Sequence, residues 1–262
     1  MSMGYRICSF NVRRSLRNNE TDRDFFALLN QLAHEEGVDV FAFQEATNRH
    51  FAERIISNLP RYQQWTSDFV EGSEFQFVWR ADRVRPSALP FFNIYESGLH
   101  ISRETEFKHK PLYGRFVPEG IGPNVEFRLV NVHVEYGNPI ERRRDECRVL
   151  KDNVHRAVDA KSYSNGRCIF SLILGDYNLD CEDCNDCGPQ NVQTIQEQET
   201  TLRAKDPWGY SNSYDHFSFD AIKNGTVPCE ATRIDAIEYI GGNFERYWKQ
   251  VSDHVPVKLE IY

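Results

Sequence analysis

Short runs of apolar, β-branched and aromatic residues recur along the whole chain, as is typical of buried β-strands. They lie at residues 5–10, 38–43, 75–79, 128–134, 169–174, 234–240 and 255–261. Helical spacing of apolar residues predicts helices over residues 21–36, 47–59 and 141–161, between these runs. Strands that alternate with helices are typical of α/β folds. Since no Gly-, Ser- or Pro-rich linker interrupts them, we predict that residues 1–262 form a single domain.

The charge balance restricts how the chain can bind an anion. Its 31 Lys and Arg residues against 39 Asp and Glu residues give a net charge of −8, so the surface as a whole repels polyanions. An anionic substrate therefore needs a bound cation or a local basic groove. No apolar run approaches the roughly 18 residues of a membrane helix, so we expect no membrane span. A strand-like run begins at Tyr5 in place of a signal segment, which favours an intracellular protein unless a leader has been removed.

Polar residues cluster at or near the ends of several apolar runs. The clusters are Ser9-Phe10-Asn11-Val12-Arg13, Gln44-Glu45, Asn131-Val132-His133, Gly175-Asp176-Tyr177-Asn178, Arg233-Ile234-Asp235 and Ser252-Asp253-His254. One such cluster alone is more often a turn or a helix cap, because Asp and Asn side chains hydrogen-bond to the local backbone. Together they predict a site, since the ends of neighbouring strands converge at one rim of a sheet, where α/β enzymes bind ligands.

The residue types in these clusters indicate a chemistry. Carboxylate and carboxamide oxygens are hard ligands suited to Mg²⁺ or Mn²⁺, and the sequence shows no His-rich set with zinc spacing. Two histidines beside such a metal provide a general base and a general acid near neutral pH. Charge neutralisation by a metal, combined with proton transfer from water and to the leaving oxygen, suits the hydrolysis of a phosphodiester.

Two motifs carry a resemblance to a known superfamily. Gly175-Asp176-Tyr177-Asn178, followed by Ser252-Asp253-His254-Val255-Pro256, resembles the endonuclease/exonuclease/phosphatase superfamily. Its members include deoxyribonuclease I, abasic-site nucleases, sphingomyelinases and inositol-polyphosphate 5-phosphatases. The similarity covers nearly the whole chain. It implies a four-layer α/β sandwich, in which two packed mixed β-sheets are flanked by helices.

The resemblance also implies roles for the clustered residues. Glu45 is expected to be the principal metal ligand, assisted by Asn11 and Asp253. Asp176 is expected to orient or deprotonate the attacking water, and Asn178 to hold the phosphate.

His254 resembles the essential histidine at the scissile phosphate, and two carboxylates compete to fix its tautomer. Asp235 lies on a predicted strand just before the C-terminal motif, and we predict that it is the partner. Asp215 follows Tyr214 in the Tyr-Asp pair that deoxyribonuclease I uses for this motif, but the segment also resembles the aromatic loop of the abasic-site nucleases. We therefore place Tyr214 and His216 among the substrate-binding residues.

Further features resemble deoxyribonuclease I in particular. Arg13, two residues after Asn11, matches a phosphate-contacting arginine of that group, and His133 stands where the group keeps a second histidine. Glu74 is one residue out of register with the glutamate that pairs with that histidine. His109 stands where the family has an arginine, so we expect it to be a weaker phosphate contact.

Cys181, Cys184 and Cys187 form a dense cluster shortly after Asn178. With Cys229 as a fourth ligand they fit a structural Zn²⁺ site. A disulfide is a second interpretation, for which the resemblance suggests Cys181 with Cys229, and a reduced loop is the third.

We predict a Mg²⁺-dependent nuclease that cuts DNA with little sequence specificity and acts as a monomer. Arg49, Arg54 and the basic run at 142–144 are candidate backbone contacts, although such a run is more often a solvated helix face. The alternatives are an RNA- or damage-specific nuclease, or a phosphatase or phosphodiesterase of a small or lipid phosphoester, such as a phosphoinositide or sphingomyelin. A lipid enzyme needs an exposed apolar hairpin, for which 88–95 is the candidate, although we interpret that segment as an ordinary strand. A binding protein without catalysis is disfavoured, because every site residue is present.

Overall fold

The computed structural model of the chain describes residues 4–13, 22–47, 50–68, 70–88, 91–99, 101, 107–119, 125–137, 139–163, 166–225 and 227–262. Their strands are β1 (Tyr5–Asn11), β2 (Val40–Gln44), β3 (Trp65–Asp68), β4 (Gln76–Arg80), β5 (Val84–Pro86), β6 (Phe92–Asn93), β7 (Leu112–Pro118), β8 (Val125–His133), β9 (Cys168–Asp176), β10 (Val192–Ile195), β11 (Asp215–Asp220), β12 (Cys229–Arg233) and β13 (Val257–Ile261). Their helices are α1 (Arg23–His34), α2 (Phe51–Asn58), α3 (Ile140–Val149), α4 (Arg156–Ala160), α5 (Cys181–Asp186), α6 (Ala221–Asn224) and α7 (Phe244–Gln250). A π-helical segment, Leu150–His155, joins α3 to α4, and a 3₁₀ turn spans Glu238–Ile240.

The strands form two mixed sheets whose parallel pairs lie near the centre. One sheet has the order β12-β13-β1-β2-β4-β3, and the other has the order β10-β11-β9-β8-β7-β5, with β6 also paired to β7. In the first sheet β1 runs parallel to β2, which sets Asn11 beside Gln44. In the second, β8 runs parallel to β9, which sets His133 beside Asp176. The carboxyl ends of four strands thus carry the polar residues predicted to form the site.

A buried hydrogen bond brings the polar rims of the two sheets together. Gln44 Nε2, at the end of β2, donates to Asn131 Oδ1 on β8 at 2.7 Å, and Asn131 Nδ2 donates to the Phe43 carbonyl at 3.0 Å. Both side chains are fully buried, so these bonds satisfy polar groups that would otherwise be costly inside the protein. The two rims therefore form one continuous edge.

Three apolar clusters separate the layers. The cluster between the sheets contains Phe77, Trp79, Phe116, Leu172 and Val257, among others. The helices α1, α2 and α7 pack on the outer face of the first sheet. The helical run from α3 to α4, together with α5, packs on the outer face of the second sheet. The predicted four-layer α/β sandwich is confirmed, whereas the organisation of the chain as one domain stays a prediction.

The prediction of a strand at 234–240 is wrong. β12 ends at Arg233, and the chain then turns into the 3₁₀ segment Glu238–Ile240. Ile234, Ile237 and Ile240 are three residues apart and pack together into the cluster beneath α1. A spacing of three is the period of a 3₁₀ turn, not of a strand. The other predicted strands and the three predicted helices are present, with shifted ends.

Two further expectations concern surfaces. Of the segment 88–95, only Phe92–Asn93 forms a strand, while residues 89 and 90 lie outside the described part of the chain. Among the described residues, none of the helices has the length and apolar character that crossing a bilayer would require.

Candidate active site

Three side chains of the site stand on residues with left-handed backbone. Arg13, Glu45 and Asn178 have φ angles of 46°, 56° and 49°, each just after a strand that carries a polar cluster. Non-glycine residues with positive φ are uncommon and cluster at functional sites, where surrounding contacts hold them in place. The sharp turn at each strand end thus directs these side chains toward the shared rim.

Asn11 links two carboxylates across the sheets. Its Nδ2 lies 3.3 Å from Glu45 Oε1 and 3.0 Å from Asp176 Oδ2, and its Oδ1 accepts a hydrogen bond from the Arg13 backbone at 2.9 Å. Asn11 and Asp176 are almost completely buried, and Glu45 is half-buried. Two carboxylates held close together in a buried setting require a compensating positive charge.

This donor set fits a hard divalent cation. Carboxylate and amide oxygens are the usual ligands of Mg²⁺ and Mn²⁺, and Asp253 lines the same cavity as Glu45 and Asp176. Glu45 and Asp176 are the residues whose carboxylates would hold the cation, whereas Asn11 as a ligand stays a prediction, because its Nδ2 faces the two carboxylates and its Oδ1 accepts from the Arg13 backbone. The contribution of Asp253 stays a prediction, since its carboxylate lies 3.6 Å from Arg13 Nε.

His254 lies between two aspartates. Its Nδ1 is 2.8 Å from Asp215 Oδ2, and its Nε2 is 3.5 Å from Asp176 Oδ2. The three groups also place ligand atoms within 4.8 Å of one another. Because the Nδ1 atom is engaged by Asp215, we interpret them as a hydrogen-bonded relay rather than as a metal-ligand set.

The predicted partner of His254, Asp235, is wrong. The Asp235 side chain is 64% exposed and pairs with Arg233 at 2.9 Å, in the turn that follows β12. Asp215 takes its place because β11 pairs with β9 in a register that sets Asp215 opposite Asp176.

The charges around His254 decide its protonation in the metal-free protein. Burial alone lowers the pKa of His254, but the charges of Asp215 and Asp176, with the hydrogen bond to Asp215, raise it to about 10. The imidazole is therefore protonated at neutral pH, and its Nε2 can donate to an oxygen of a bound anion.

Asp176 and Asn178 are held by the backbone that follows β9. The Asn178 backbone N–H donates to Asp176 Oδ1 at 2.9 Å, and Asn178 Nδ2 donates to the Val134 carbonyl at 2.8 Å. Arg143 Nη1 in turn donates to the Asn178 carbonyl at 2.5 Å. One member of the predicted basic run thus turns toward the site, a contact that the sequence pattern did not predict.

Glu74, His109 and His133 form a second cluster beside Asp176. Glu74 Oε1 contacts His109 Nδ1, while Glu74 Oε2 lies 4.0 Å from His133 Nδ1. The two imidazole rings stack with their centroids 4.4 Å apart, and His133 Nε2 is 3.7 Å from Asp176 Oδ2. The hydrogen bond to Glu74 raises the pKa of His109 against the effect of its burial. Glu74 therefore contacts His109 directly and lies farther from His133, the histidine with which the resemblance pairs a glutamate.

Arg13 lies at the edge of the site. Its guanidinium lies 4.0 Å above the ring of Trp248 and near Asp253, and about a third of the side chain is exposed. Stacking on an aromatic ring fixes a guanidinium while leaving part of it accessible.

A polar cavity of about 520 Å³ opens over these groups. Its lining includes Glu45, His109, His133, Asp176, Asn178, Tyr214, Asp253 and His254. His216 is absent from this lining. It is completely buried, and its two ring nitrogens each lie 2.8 Å from the backbone carbonyls of Gln196 and Leu179. The prediction that His216 binds substrate is wrong, because the segment is strand β11 rather than a surface loop.

Two of the other predicted basic contacts form ion pairs within the protein. Arg54 pairs with Asp22 at 2.6 Å, and Arg144 pairs with Asp183 at 2.7 Å. Arg49 lies outside the described residues.

The structure bears on the three interpretations of the cysteine cluster, and Cys181–Asp186 is a helix rather than a loop. All seven are free thiols. Cys229 lies on β12 of the first sheet, whereas Cys181 lies on α5, on the outer side of the second sheet. The Cys184 and Cys187 thiols hydrogen-bond with the thiol of Cys147 on α3. The pairing of Cys181 with Cys229, and Cys229 as a fourth zinc ligand, are therefore wrong.

The fold is shared with several known structures, although the sequence matches no protein-family model and no curated protein. D. rerio TDP2 complexed with a single-strand DNA product is 16% identical, with a TM-score of 0.65 over 99% of both chains. A mannosyl-6-phosphatase from Bacteroides thetaiotaomicron is 15% identical, with a TM-score of 0.64 over 98% of this chain and 99% of that chain. An endonuclease/exonuclease/phosphatase protein from Bacteroides vulgatus is 15% identical, with a TM-score of 0.62 over 100% of this chain and 99% of that one.

These likenesses establish the fold. The chain has the α/β sandwich of endonuclease/exonuclease/phosphatase proteins, as its two motifs predicted.

Proposed function

We propose that the protein is a divalent-metal-dependent phosphodiester hydrolase that cuts DNA. The observation that carries this proposal is the convergence of Glu45, Asn11, Asp176 and the Asp215–His254 pair on one buried rim. Carboxylates that can hold a cation, beside an imidazole that a third carboxylate orients, are what phosphoester hydrolysis needs.

The side chains divide the work of such a reaction. A bound divalent cation would offset negative charge on the phosphate and favour ionisation of a water molecule. Asp176 has a carboxylate oxygen beside both histidines, which suits it to orient or deprotonate that water. His254 donates from Nε2 to a phosphate oxygen, and Asp215 keeps the proton on Nδ1 and stabilises the imidazolium. Asn178 and His133 bound the space that the phosphate would occupy.

The rim of the cavity supports a nucleic-acid substrate. Tyr136 is 72% exposed and lines the cavity together with Tyr214, so two aromatic rings are available to stack on bases. Arg143, whose guanidinium donates to the Asn178 carbonyl, adds positive charge on the same side, in a protein whose net charge is −8. The likeness to D. rerio TDP2 in complex with a single-strand DNA product is consistent with this substrate class.

One observation favours a second candidate function. A cavity of about 520 Å³ is of the size that encloses a small ligand, as a phosphatase of a small phosphoester would require. The likeness to a mannosyl-6-phosphatase is consistent with that alternative.

Nicking of supercoiled plasmid in Mg²⁺, repeated in EDTA, tests the proposal. We expect nicking that EDTA abolishes and that His254→Ala lowers by roughly 10³-fold, the middle of the range for a lost general acid or base. His34→Ala is the matched control, because His34 is an exposed histidine far from the rim along the chain. Intact plasmid, together with metal-dependent phosphate release from a small phosphomonoester, would instead support the second candidate.

A further inference from the structure

We propose that Glu74, His109 and His133 form a second metal site, which takes a divalent transition-metal ion such as Zn²⁺. This site is separate from the oxygen-rich pair of Glu45 and Asp176. It does not depend on the substrate proposed above.

The three side chains offer one ligand atom each within a small space. Glu74 precedes β4, His109 precedes β7 and His133 ends β8, and their ligand atoms lie within 4.8 Å of one another. A tetrahedral zinc site with Zn–N distances of about 2.0–2.1 Å needs donor atoms roughly 3.3 Å apart. The side chains of Glu74 and His109 are 19% and 20% exposed, so small rotations at the cavity wall can close this gap.

His133 provides the second observation. Its Nδ1 atom is buried and has no hydrogen-bond partner, although only 10% of the side chain is exposed. A buried polar atom without a partner is costly, so its presence calls for a ligand. This nitrogen faces Glu74, on the same side as His109 Nδ1. A metal ion bound there would satisfy it.

The surroundings favour a cation. Lys108 is the neighbouring cation, and its charge is offset by Glu135 at 3.1 Å. Asp176 lies 3.7 Å from the other ring nitrogen of His133. A carboxylate at that position is the usual support of a metal-bound imidazole, because it fixes the tautomer.

The donor atoms distinguish the two sites. Two imidazoles and a carboxylate select a borderline transition metal, whereas an all-oxygen set selects Mg²⁺ or Mn²⁺. We therefore expect Zn²⁺ to bind to the cluster even when Mg²⁺ saturates the oxygen-rich site.

Calorimetric titration of Zn²⁺ into the protein, with saturating Mg²⁺ present, tests the proposal. We expect one Zn²⁺ equivalent to bind to the wild type and to Glu45→Gln. In His109→Gln and Glu74→Gln we expect the affinity for Zn²⁺ to be lower by roughly 10- to 100-fold. His50→Gln is the matched control, because His50 is also a histidine paired with a glutamate, Glu53, but on the exposed surface at 2.9 Å. Its affinity should equal that of the wild type.

Two results would overturn the site. One is a Zn²⁺ equivalent that disappears in Glu45→Gln and persists in His109→Gln, which would assign the ion to the oxygen-rich set. The other is no Zn²⁺ binding at all, which would leave the cluster as a hydrogen-bonded pair. Should a variant fold poorly, NMR of the wild type decides: Zn²⁺ must shift the ring signals of His109 and His133 and leave those of His50 unchanged. None of these readouts depends on hydrolysis.

Discussion

Asp215 Oδ2 lies 2.8 Å from His254 Nδ1, and this contact determines which ring nitrogen faces the cavity. Asp215 is the first residue of β11 and pairs with Asp176, the last residue of β9. The pairing of β11 with β9 therefore positions the carboxylates of Asp215 and Asp176 around a single imidazole. As in the carboxylate–histidine pairs of hydrolases, the carboxylate fixes the tautomer and the orientation of the imidazole.

Replacing Asp215 should therefore impair catalysis far more than replacing Asp235. Asp215→Asn keeps the shape but lets the imidazole adopt the wrong tautomer, which in a comparable pair costs roughly 10⁴-fold in kcat. Asp235→Asn alters an exposed ion pair with Arg233 and should change kcat by less than about threefold. Initial rates on plasmid or on a chromogenic phosphodiester measure both. The reverse order of effects would show that the observed pairing is not the functional one.

The strand ends were predictable from the sequence because their signals are local. Apolar runs and the polar residues that flank them can be recognised from the order of the sequence alone, which predicts a rim that contains Asn11, Glu45, His133, Asp176 and His254. Which carboxylate meets His254 was not readable in this way. It depends on the pairing of β11 with β9, between segments distant along the chain.

The error at Asp235 has a physical cause. Ile234, Ile237 and Ile240 are β-branched, which favours a strand, but the chain turns after β12 and buries all three in one apolar cluster, with only Ile240 inside the 3₁₀ turn. Tertiary packing decided between these two local options. Arg143 illustrates the same limit, because a run of three arginines does not show which of them turns inward to Asn178.

Gly175 is expected to tolerate no side chain. A Cβ atom there would lie 2.0 Å from the Val132 carbonyl oxygen, and φ is +144°. Gly175→Ala must therefore push β9 away from β8 and displace Asp176, at a cost of at least about 3 kcal/mol. Urea unfolding measures the loss. Gly209→Ala is the control, since nothing lies within 4 Å of its added Cβ, and it should be neutral. Equal stabilities of the two variants would contradict the close approach of β8 and β9.

Glu146 should make stability depend on pH. Burial raises the pKa of Glu146 to about 7, although the Glu135 backbone N–H donates to it at 3.1 Å. The folded state thus holds a proton that the unfolded state releases near pH 4.3, so stability falls as the pH rises from about 4.3 to 7.

Glu146→Gln removes this titration while keeping an acceptor for the Glu135 backbone. We expect the variant to gain up to about 3 kcal/mol over the wild type at pH 8, and little at pH 4. Denaturant unfolding at the two pH values measures the difference. A gain that is independent of pH would show that Glu146 is not the group responsible.

Thiol labelling of the native protein should distinguish the cysteines by their solvent exposure. Cys168 is exposed and Cys229 is half-buried, whereas the other five are buried. Burial raises the pKa of Cys181 to about 11, so even a thiol near the surface of α5 holds little reactive thiolate at neutral pH. We expect rapid reaction of Cys168 with a disulfide reagent, slow reaction of Cys229, and reaction of the rest only after unfolding. Rapid native labelling of Cys184 or Cys187 would contradict their burial against α3.

Arg143 should contribute to DNA binding, whereas its neighbour Arg142 should not. Arg143 is half-buried beside Asn178 and has a buried Nε without a partner, while Arg142 is exposed on the same helix. A guanidinium that contacts a backbone phosphate releases a counterion, so Arg143→Gln should weaken binding and reduce the slope of log K against log salt by about 0.7–0.9. Arg142→Gln should leave that slope unchanged. Binding of a fluorescent oligonucleotide to the protein in EDTA, measured over a range of salt concentrations, provides both slopes without cleavage. A purely structural role would lower kcat in Arg143→Gln and leave the salt slope at the wild-type value, because no phosphate contact would have been lost.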